Sequence, residues 1–418
     1  MSDDGEAAQR TAVGAAERAA RDSYGRLVAF LAARTRDVAG AEDALGEAFA
    51  AALRLWPVDG VPDNPDAWLL TVARRRQVDA IRRRQTRTAG EDHVKLIADE
   101  IEEAASTPEA SPDRRLALMF ACAHPDIERG MRAPLILQTI LGMTGEDIAA
   151  AFLIPPATMS QRLVRAKTRI SDAGIPFAIP EPEDLPGRLE AVLDAIYAAY
   201  TKGWSEVGDE GVPEMADEAI WLGRLVVSLL PAEPEAKGML ALMLYAESRR
   251  GARRDRAGAY VPLEQQDVSL WDDSQIRLAE NLLHDANEAG PTGRYQLEAA
   301  IQSAHTARRM AGVANWQAIV ALYDHLLART HSPVVVLNRA VALAELDGPA
   351  AALASIAPLA GDKRMQSYQP YWAALGHLQA AAGDKETAIT ALTVAIGLTT
   401  DPAIRTYLHG RIEGLRDG

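Results

Sequence analysis

The chain has 418 residues and a formal net charge of −14, with 58 acidic residues against 44 lysines and arginines. This length exceeds one typical hydrophobic core, so we expect two or three domains, and the single cysteine excludes an intrachain disulfide. The polar, acidic N-terminus and the lack of an apolar run of about 18 to 20 residues predict neither a signal peptide nor a membrane span. We therefore expect a cytoplasmic protein.

The pattern of apolar residues predicts the fold class. Aromatic residues make up 5% of the chain, and no segment alternates β-branched and polar residues as a half-buried strand does. Apolar residues recur instead at helical spacing along most of the sequence. The predicted fold class is all-α.

The N-terminal region divides into a polar tail and a first helical module. Residues 1–17 predict a disordered tail, whereas residues 18–87 carry apolar stripes at helical spacing, at 24–31 and 44–53. A loop rich in Pro, Gly and Asp follows, and then a helix from Ala67 with arginines on its polar face. Aromatic side chains beside arginines suit binding of a single nucleic-acid strand, because bases stack on the rings and arginines contact the phosphates. An arginine-rich amphipathic helix is more often simply exposed to solvent on its polar face.

Residues 88–113 form an acidic connection to the next module. Positions 91 to 113 hold eight acidic residues against Lys95, together with the polar segment STPEASPD. Such a composition cannot bury a core, so we predict a flexible linker. Basic residues concentrate on the helix before it and in the module after it, so the negative net charge does not exclude contact with DNA.

Residues 114–175 end in a predicted helix-turn-helix. Thr144 is placed to cap a first helix, two prolines at 155 and 156 end it, and a second helix runs from Ala157 to about Ile170. Met159, Leu163, Ala166 and Ile170 form the buried stripe of that second helix. Its outward residues are Thr158, Ser160, Gln161, Arg162, Arg165, Lys167 and Arg169. A cationic helix of this kind is typical of major-groove recognition, and an ordinary amphipathic hairpin is the alternative.

The rest of the chain predicts a repeat domain. A Pro-rich connector at 176–187 precedes paired helical patterns over residues 188–418. Near the end, Trp372, Gly376, Gly383 and Ala388 fall where tetratricopeptide repeats (TPRs) place large, small and turn residues, and a weaker copy precedes them by about 35 residues. A TPR-like domain is predicted, with a generic helical bundle as the alternative.

Catalytic and metal chemistry have little support in the sequence. Cys122 and His124 offer two ligands where a structural zinc site needs four, and the Gly-rich phosphate loop, HExxH and GxSxG patterns are absent from the sequence. We expect no enzymatic activity, no cofactor and no metal. A third basic run at 248–258 is most simply a solvated loop.

Three segments in order resemble the extracytoplasmic-function (ECF) sigma factors of bacterial RNA polymerase. AEDALGEAF at 41–49 is similar to the helix that binds polymerase, and NPDAWLLTVARRRQVDAIRRR at 64–84 to the helix that melts promoters. Residues 144–170 are similar to the reader of the −35 element. The resemblance implies two small helical sigma domains, sigma-2 at 18–87 and sigma-4 at 114–175, joined by the acidic linker.

The resemblance also implies roles for individual residues. Contacts to the β′ and β subunits of core polymerase carry over to Glu42, Asp43, Glu47 and Phe49. Binding of the −10 element and its opened strand carries over to Val58, Asp63, Asn64, Trp68, Arg74, Arg75, Arg76, Asp79, Arg82 and Arg83. Contact with the −35 element of promoter DNA carries over to the seven outward residues of the second helix of the helix-turn-helix.

The C-terminal half is similar to that of one sigma-factor group with a TPR-like helical extension. In that group the extension implies regulation through intramolecular contact with the sigma domains, and a small DGPF/YCII-like protein as a further partner. The expected location is the cytoplasm, in association with the nucleoid.

Two other interpretations remain open. In one, the helix-turn-helix binds an operator as a conventional regulator and the TPR-like domain is a sensor. In the other, the protein is a TPR scaffold whose basic patches are incidental. The operator-binding interpretation assigns no function to the predicted helix at 64–84.

Overall fold

The computed structural model describes residues 3–85, 114–152, 154–181, 183–205 and 213–417. Twenty α-helices lie in these ranges, with short 3₁₀ turns and a single isolated bridge between Arg254 and Tyr260 in place of a sheet. The predicted all-α class is confirmed. The described helices include none that is long and apolar enough to cross a membrane.

The chain divides into two compact units. Unit 1 comprises Met1–Ala199 and unit 2 comprises Tyr200–Gly418. The division falls inside helix α8, Leu185–Ser205. The predicted linker at 88–113 lies outside the described residues.

Unit 1 begins with three long helices that pack against one another. They are α1 Asp3–Thr35, α2 Val38–Asp59 and α3 Pro65–Gln85. The side chain of Asp37 accepts a hydrogen bond from the Gly40 N–H at 2.8 Å and so caps α2.

The predicted disordered tail at 1–17 is wrong for the residues described, because α1 begins at Asp3. Ala12, Ala15 and Ala16 are buried on one side of this helix. Alanine has the highest helix propensity and lets a neighbouring helix approach closely, so a stripe of alanines can bury a segment that lacks large apolar residues.

Four further helices complete the helix-turn-helix region of unit 1. They are α4 Arg115–Cys122, α5 Arg129–Leu141, α6 Gly145–Ala151 and α7 Pro156–Asp172. Helix α1 packs on α4 and α5, and α2 packs on α7. The two predicted sigma domains therefore form one compact unit here, although they were expected to be separate bodies on a tether.

The close approach of α1 to α5 depends on Gly25. A Cβ atom added at this position would lie 1.9 Å from the carbonyl oxygen of Ile140. Only glycine allows two backbones to come this near without displacement. The predicted connector at 176–187 leads into α8, where Glu190 forms an exposed ion pair of 2.9 Å with Arg129 of α5.

Unit 2 continues as a succession of helices in which sequence neighbours pack as pairs. They are α9 Pro213–Leu229, α10 Pro234–Glu247, α11 Asp273–Ala289, α12 Arg294–Thr306, α13 Arg308–Ala311, α14 Trp316–Thr330, α15 Pro333–Asp347, α16 Pro349–Ile356, α17 Lys363–Gln366, α18 Gln369–Ala381, α19 Lys385–Leu398 and α20 Pro402–Asp417. Within the α18–α19 pair, a Cβ on Gly376 would lie 2.7 Å from Leu392, so the predicted small residue does permit close helix contact.

The segment between α10 and α11 reaches the last helix of unit 2. Arg254 forms an ion pair of 2.6 Å with Asp401, and both side chains are largely buried. Nearby, the rings of Tyr260 and Tyr407 meet edge to face with centroids 5.4 Å apart. Two contacts therefore join residues that lie 147 positions apart in the chain.

Candidate nucleic-acid interface

The helix-turn-helix is built as its residue pattern predicts. The Thr144 hydroxyl accepts a hydrogen bond from the Asp147 N–H at 3.1 Å and caps α6. Pro156 occupies the first position of α7, where a missing N–H costs nothing. Met159, Leu163, Ala166 and Ile170 are all buried, which confirms the predicted apolar stripe.

The opposite face of α7 carries an exposed polar and cationic surface. Ser160, Gln161, Arg162, Arg165 and Arg169 are exposed, whereas Thr158 is half-buried. Arg169 reaches Asp126 at 3.0 Å with both side chains about half exposed. This face therefore offers hydrogen-bond donors and positive charge to a duplex.

Val164 belongs to the same face and was missed by the sequence reasoning. Its side chain is 64% exposed. At 100° per residue, Val164 lies about 40° from Thr168 and about 60° from Gln161 around α7, on the side away from the buried stripe. The usual assumption that apolar residues belong to the core excluded Val164 from the outward set. Its angular position around the helix, away from Leu163 and Ile170, was the signal that could have identified it.

Lys167 is a correction to the predicted outward set. It forms an ion pair with Glu42 of α2, and the two side chains are only 12% and 13% exposed. Helical phase brings Lys167 to the flank of α7 that meets α2, so its ammonium group faces protein. Both residues of this pair come from predicted interfaces, one for DNA and one for polymerase.

The carboxyl group of Glu42 is largely buried. Burial raises its pKa, the neighbouring Lys167 ammonium group acts in the opposite direction, and Asp43 adds a smaller upward effect. One carboxylate oxygen, Oε1, is buried without a hydrogen-bond partner. A half-satisfied buried carboxylate is costly, so Glu42 depends on Lys167 for compensation.

The remaining predicted polymerase-binding residues differ in accessibility. Asp43 and Glu47 are exposed, and Phe49 is half-buried. Glu47 forms an ion pair of 3.2 Å with Arg76 of α3, and both side chains are about half exposed. An exposed pair of this kind adds little stability and opens at small cost.

The predicted melting helix α3 holds its aromatic and basic residues in several settings. Trp68 is half-buried and meets the buried Trp56 edge to face, with centroids 5.4 Å apart. Arg74 stacks over the ring of Phe30 at 4.6 Å, and burial together with Arg34 lowers its pKa. Arg75 and Asp79 are exposed. The side chains of Arg82 and Arg83 lie outside the described part of the chain.

The end of α2 and the residues just before α3 are open to solvent. Val58, in the last turn of α2, is 82% exposed, and Asp63 and Asn64 are exposed. The Asn64 amide oxygen accepts from the Ala67 N–H at 3.1 Å, so one side of this amide is used to cap α3. Of the predicted −10 residues, Asn64 and Trp68 meet at the start of α3, where the Trp68 N–H donates to the Asn64 carbonyl at 3.2 Å, and Arg74 stacks on Phe30 of α1.

No metal centre is found in the residues that the structure describes, which contain no group of three His, Cys, Asp or Glu side chains suited to an ion. Cys122 is buried, with Sγ 3.6 Å from the Thr139 hydroxyl. Burial raises the pKa of this thiol to about 12. Such a thiol is inert packing rather than a ligand or nucleophile.

Two segments of the chain match known families. Residues 20–87 match Sigma-70 region 2, which covers α1 from its middle and the whole of α2 and α3. Residues 188–287 match DUF6596, a family of unknown function. The second match lies where the TPR-like extension was expected to begin.

Similarity to individual proteins covers most of the chain in one case and less than half of it in two others. The uncharacterized protein R00370 of Rhizobium meliloti (strain 1021) is 38% identical over 381 residues, which is 90% of each chain. The probable RNA polymerase sigma-C factor of Mycobacterium bovis and the ECF sigma factor SigC of Mycobacterium tuberculosis are each 28% identical over 182 residues, covering 41% of this chain and 84% of theirs. No solved structure matches the chain significantly.

Proposed function

We propose that this chain, an RNA polymerase sigma factor with Sigma-70 region 2 at residues 20–87, directs core polymerase to promoters through two DNA-binding surfaces. The chain belongs to the family that includes protein R00370 of Rhizobium meliloti. In this proposal α7 binds the −35 element as duplex DNA. The region around α3 binds and opens the −10 element.

The exposed face of α7 carries the proposal. Its glutamine and arginines suit hydrogen bonds to base edges and to phosphates, while the buried stripe fixes the helix on its support. The same polar face alone would also suit a conventional operator-binding regulator. Region 2 in the same unit favours the sigma factor, because a regulator of that kind needs no strand-opening domain.

Exposed residues at the end of α2 and before α3 support a role at the −10 element. Val58, Asp63 and Asn64 are open to solvent, and the half-buried Trp68 follows in the first turn of α3, which suits capture of an unstacked base. Arg75 supplies an exposed cation for the backbone of the opened strand. Arg74 is assigned a supporting role instead, since it stacks on Phe30.

Polymerase binding is assigned to α2. The exposed carboxylates of Asp43 and Glu47 lie one helical turn apart and suit a basic surface of the β′ or β subunit. Glu42 becomes available only when its pair with Lys167 opens.

Unit 2 is proposed to regulate the sigma domains as a TPR-like helical-repeat domain. Support comes from its consecutive helix pairs and from the close contact at Gly376. We propose intramolecular contact with the sigma domains and a DGPF/YCII-like protein as a partner, in a cytoplasmic, nucleoid-associated factor without enzymatic activity. The polymerase performs the chemistry.

Transcription by purified core polymerase tests the proposal. A promoter selected by the holoenzyme from a randomised library should yield RNA only when this protein is added, with the −10 region reactive to permanganate. Arg165→Ala should lower promoter binding, whereas Arg256→Ala, which removes an exposed arginine from unit 2, should not. Duplex binding without polymerase and without RNA synthesis would support the operator-binding alternative.

A further inference from the structure

Val164 stands out on α7 because an apolar, β-branched side chain occupies an exposed position of a polar helix face. Its side chain is 64% exposed, in the third turn of a helix that begins at Pro156. Valine has a lower helix propensity than alanine or the long polar residues, and its exposure gains no burial within unit 1. Neither helix formation nor packing accounts for valine at this position.

The neighbours of Val164 define what it faces. Gln161 lies one turn before it, Thr168 one turn after it, and Arg165 directly follows it, and all three side chains are exposed. Helical geometry puts these four residues on the strip opposite the buried stripe of Leu163 and Ile170. A duplex that receives the polar side chains must also receive Val164.

The major groove offers one prominent apolar group. Guanine, cytosine and adenine present donors and acceptors there, whereas thymine adds a C5-methyl group that apolar side chains contact. We propose that Val164 is a specificity residue that packs against the 5-methyl group of a thymine in the −35 element. This assignment rests on the proposed function of α7 and adds to it a base and an atom.

The contact selects thymine by burial rather than by hydrogen bonding. Cytosine in the same place presents an amino group that must then give up water without gaining a partner. Uracil keeps every hydrogen-bonding atom of thymine and lacks only the methyl group. Replacement of thymine by deoxyuridine therefore isolates this contact.

The test uses holoenzyme made from core polymerase and the full chain. Each thymine of the −35 region of a selected promoter, on both strands, is replaced in turn by deoxyuridine, and affinity is measured by competition. We expect one thymine at which the replacement weakens wild-type binding about fourfold, the value of one buried methyl group.

Val164→Ala completes a double-mutant cycle. It should weaken binding to the unmodified promoter by a similar factor and should make binding indifferent to deoxyuridine at that one position. Val313→Ala, which shortens another exposed valine in unit 2, should change neither value. Alanine favours helix, so Val164→Ala leaves α7 folded, and circular dichroism checks this.

Two outcomes overturn the inference alone. One is an active holoenzyme that shows no penalty for deoxyuridine at any −35 thymine. The other is a penalty that persists unchanged in Val164→Ala, including the case in which the variant weakens every promoter equally and so marks a contact with polymerase. A holoenzyme that binds no promoter overturns the proposed function as well.

Discussion

At the scale of single residues, Gly25 sets the distance between the two helical parts of unit 1. Its Cα faces the backbone of Ile140, and an added Cβ would lie 1.9 Å from a carbonyl oxygen that cannot rotate away. Side chains relieve such clashes by changing rotamer, whereas a backbone must shift as a whole. One missing methyl group therefore fixes how α1 lies on α5.

Gly25→Ala should destabilise unit 1 by about 1 to 3 kcal/mol, the usual cost of overpacking. Calorimetry of the full chain should show the unit 1 transition at a lower temperature and the unit 2 transition unchanged. Gly46→Ala is the matched control, because an added Cβ at this position inside α2 has no atom within 4 Å. Alanine also has a higher helix propensity than glycine, so this variant should not be destabilised. Equal melting temperatures for Gly25→Ala and the wild type would contradict the assigned clash.

At the scale of elements, the start of α6 depends on one side chain. The Thr144 hydroxyl satisfies the Asp147 N–H at 3.1 Å, and α6 has only seven residues over which to spread the loss. Thr144→Ala should lower the free energy of unfolding of unit 1 by about 1 kcal/mol. The measurement is thermal unfolding beside Thr168→Ala, which removes an exposed mid-helix hydroxyl and should not destabilise α7. A larger loss in the control would count against the cap.

The same elements show what sequence reasoning can reach. Prolines, the threonine cap and the apolar stripe located the start of α6 and both ends of α7 to within about two residues, because those signals are local. Helix α6 ends at Ala151, earlier than the prolines indicated. The alanine-rich start of α1 was mistaken for a tail, since alanine carries no apolar contrast. The pairing of Lys167 with Glu42 joins positions 125 apart, and no local pattern reports such a contact.

The two predicted interfaces of unit 1 are therefore less independent than the sequence suggested. Helical phase correctly identified the four buried residues of α7, but it could not tell solvent from another helix on the flank, where Lys167 lies. Val164 shows the converse case, in which an apolar residue faces outward. Whether a side chain is buried depends on residues that are distant in the sequence, and a local pattern does not report them.

At the scale of the whole molecule, the Glu42–Lys167 pair joins α2 to α7. Lys167→Glu brings two carboxylates together in a nearly buried place, so amide hydrogen exchange in both helices should accelerate. Combining it with Glu42→Lys restores opposite charges and should recover most of the protection. Arg169→Glu combined with Asp126→Arg, an exposed pair that joins α7 to the segment between α4 and α5, should show little change in any combination.

Failure of the double charge swap to recover protection would mean that the two side chains are not energetically coupled. Successful recovery would show that the two side chains are energetically coupled. Under the proposed function, a polymerase surface that binds Glu42 would then free Lys167 to contact a phosphate.

In unit 2, Asp401 both caps α20 and forms an ion pair with Arg254. Asp401→Asn keeps a cap for α20, where this side chain accepts from the Ala403 N–H at 2.8 Å, and removes the charge that holds Arg254. Asp384→Asn makes the matching change in the cap of α19, which has no such ion pair in the described contacts. Limited proteolysis should cleave among α18 to α20 sooner in the first variant only. Equal cleavage rates would show that the ion pair adds no stability.

The contacts of Arg254 and Tyr260 with the last helix make unit 2 unlike an open stack of repeats. In a linear array each repeat touches only its neighbours, so the terminal repeat frays alone and truncation removes stability piece by piece. Here the final helix is fastened to a segment near the beginning of the unit. We therefore expect the two segments to loosen together, so that a mutation near the C-terminus also raises hydrogen exchange at residues 254–260.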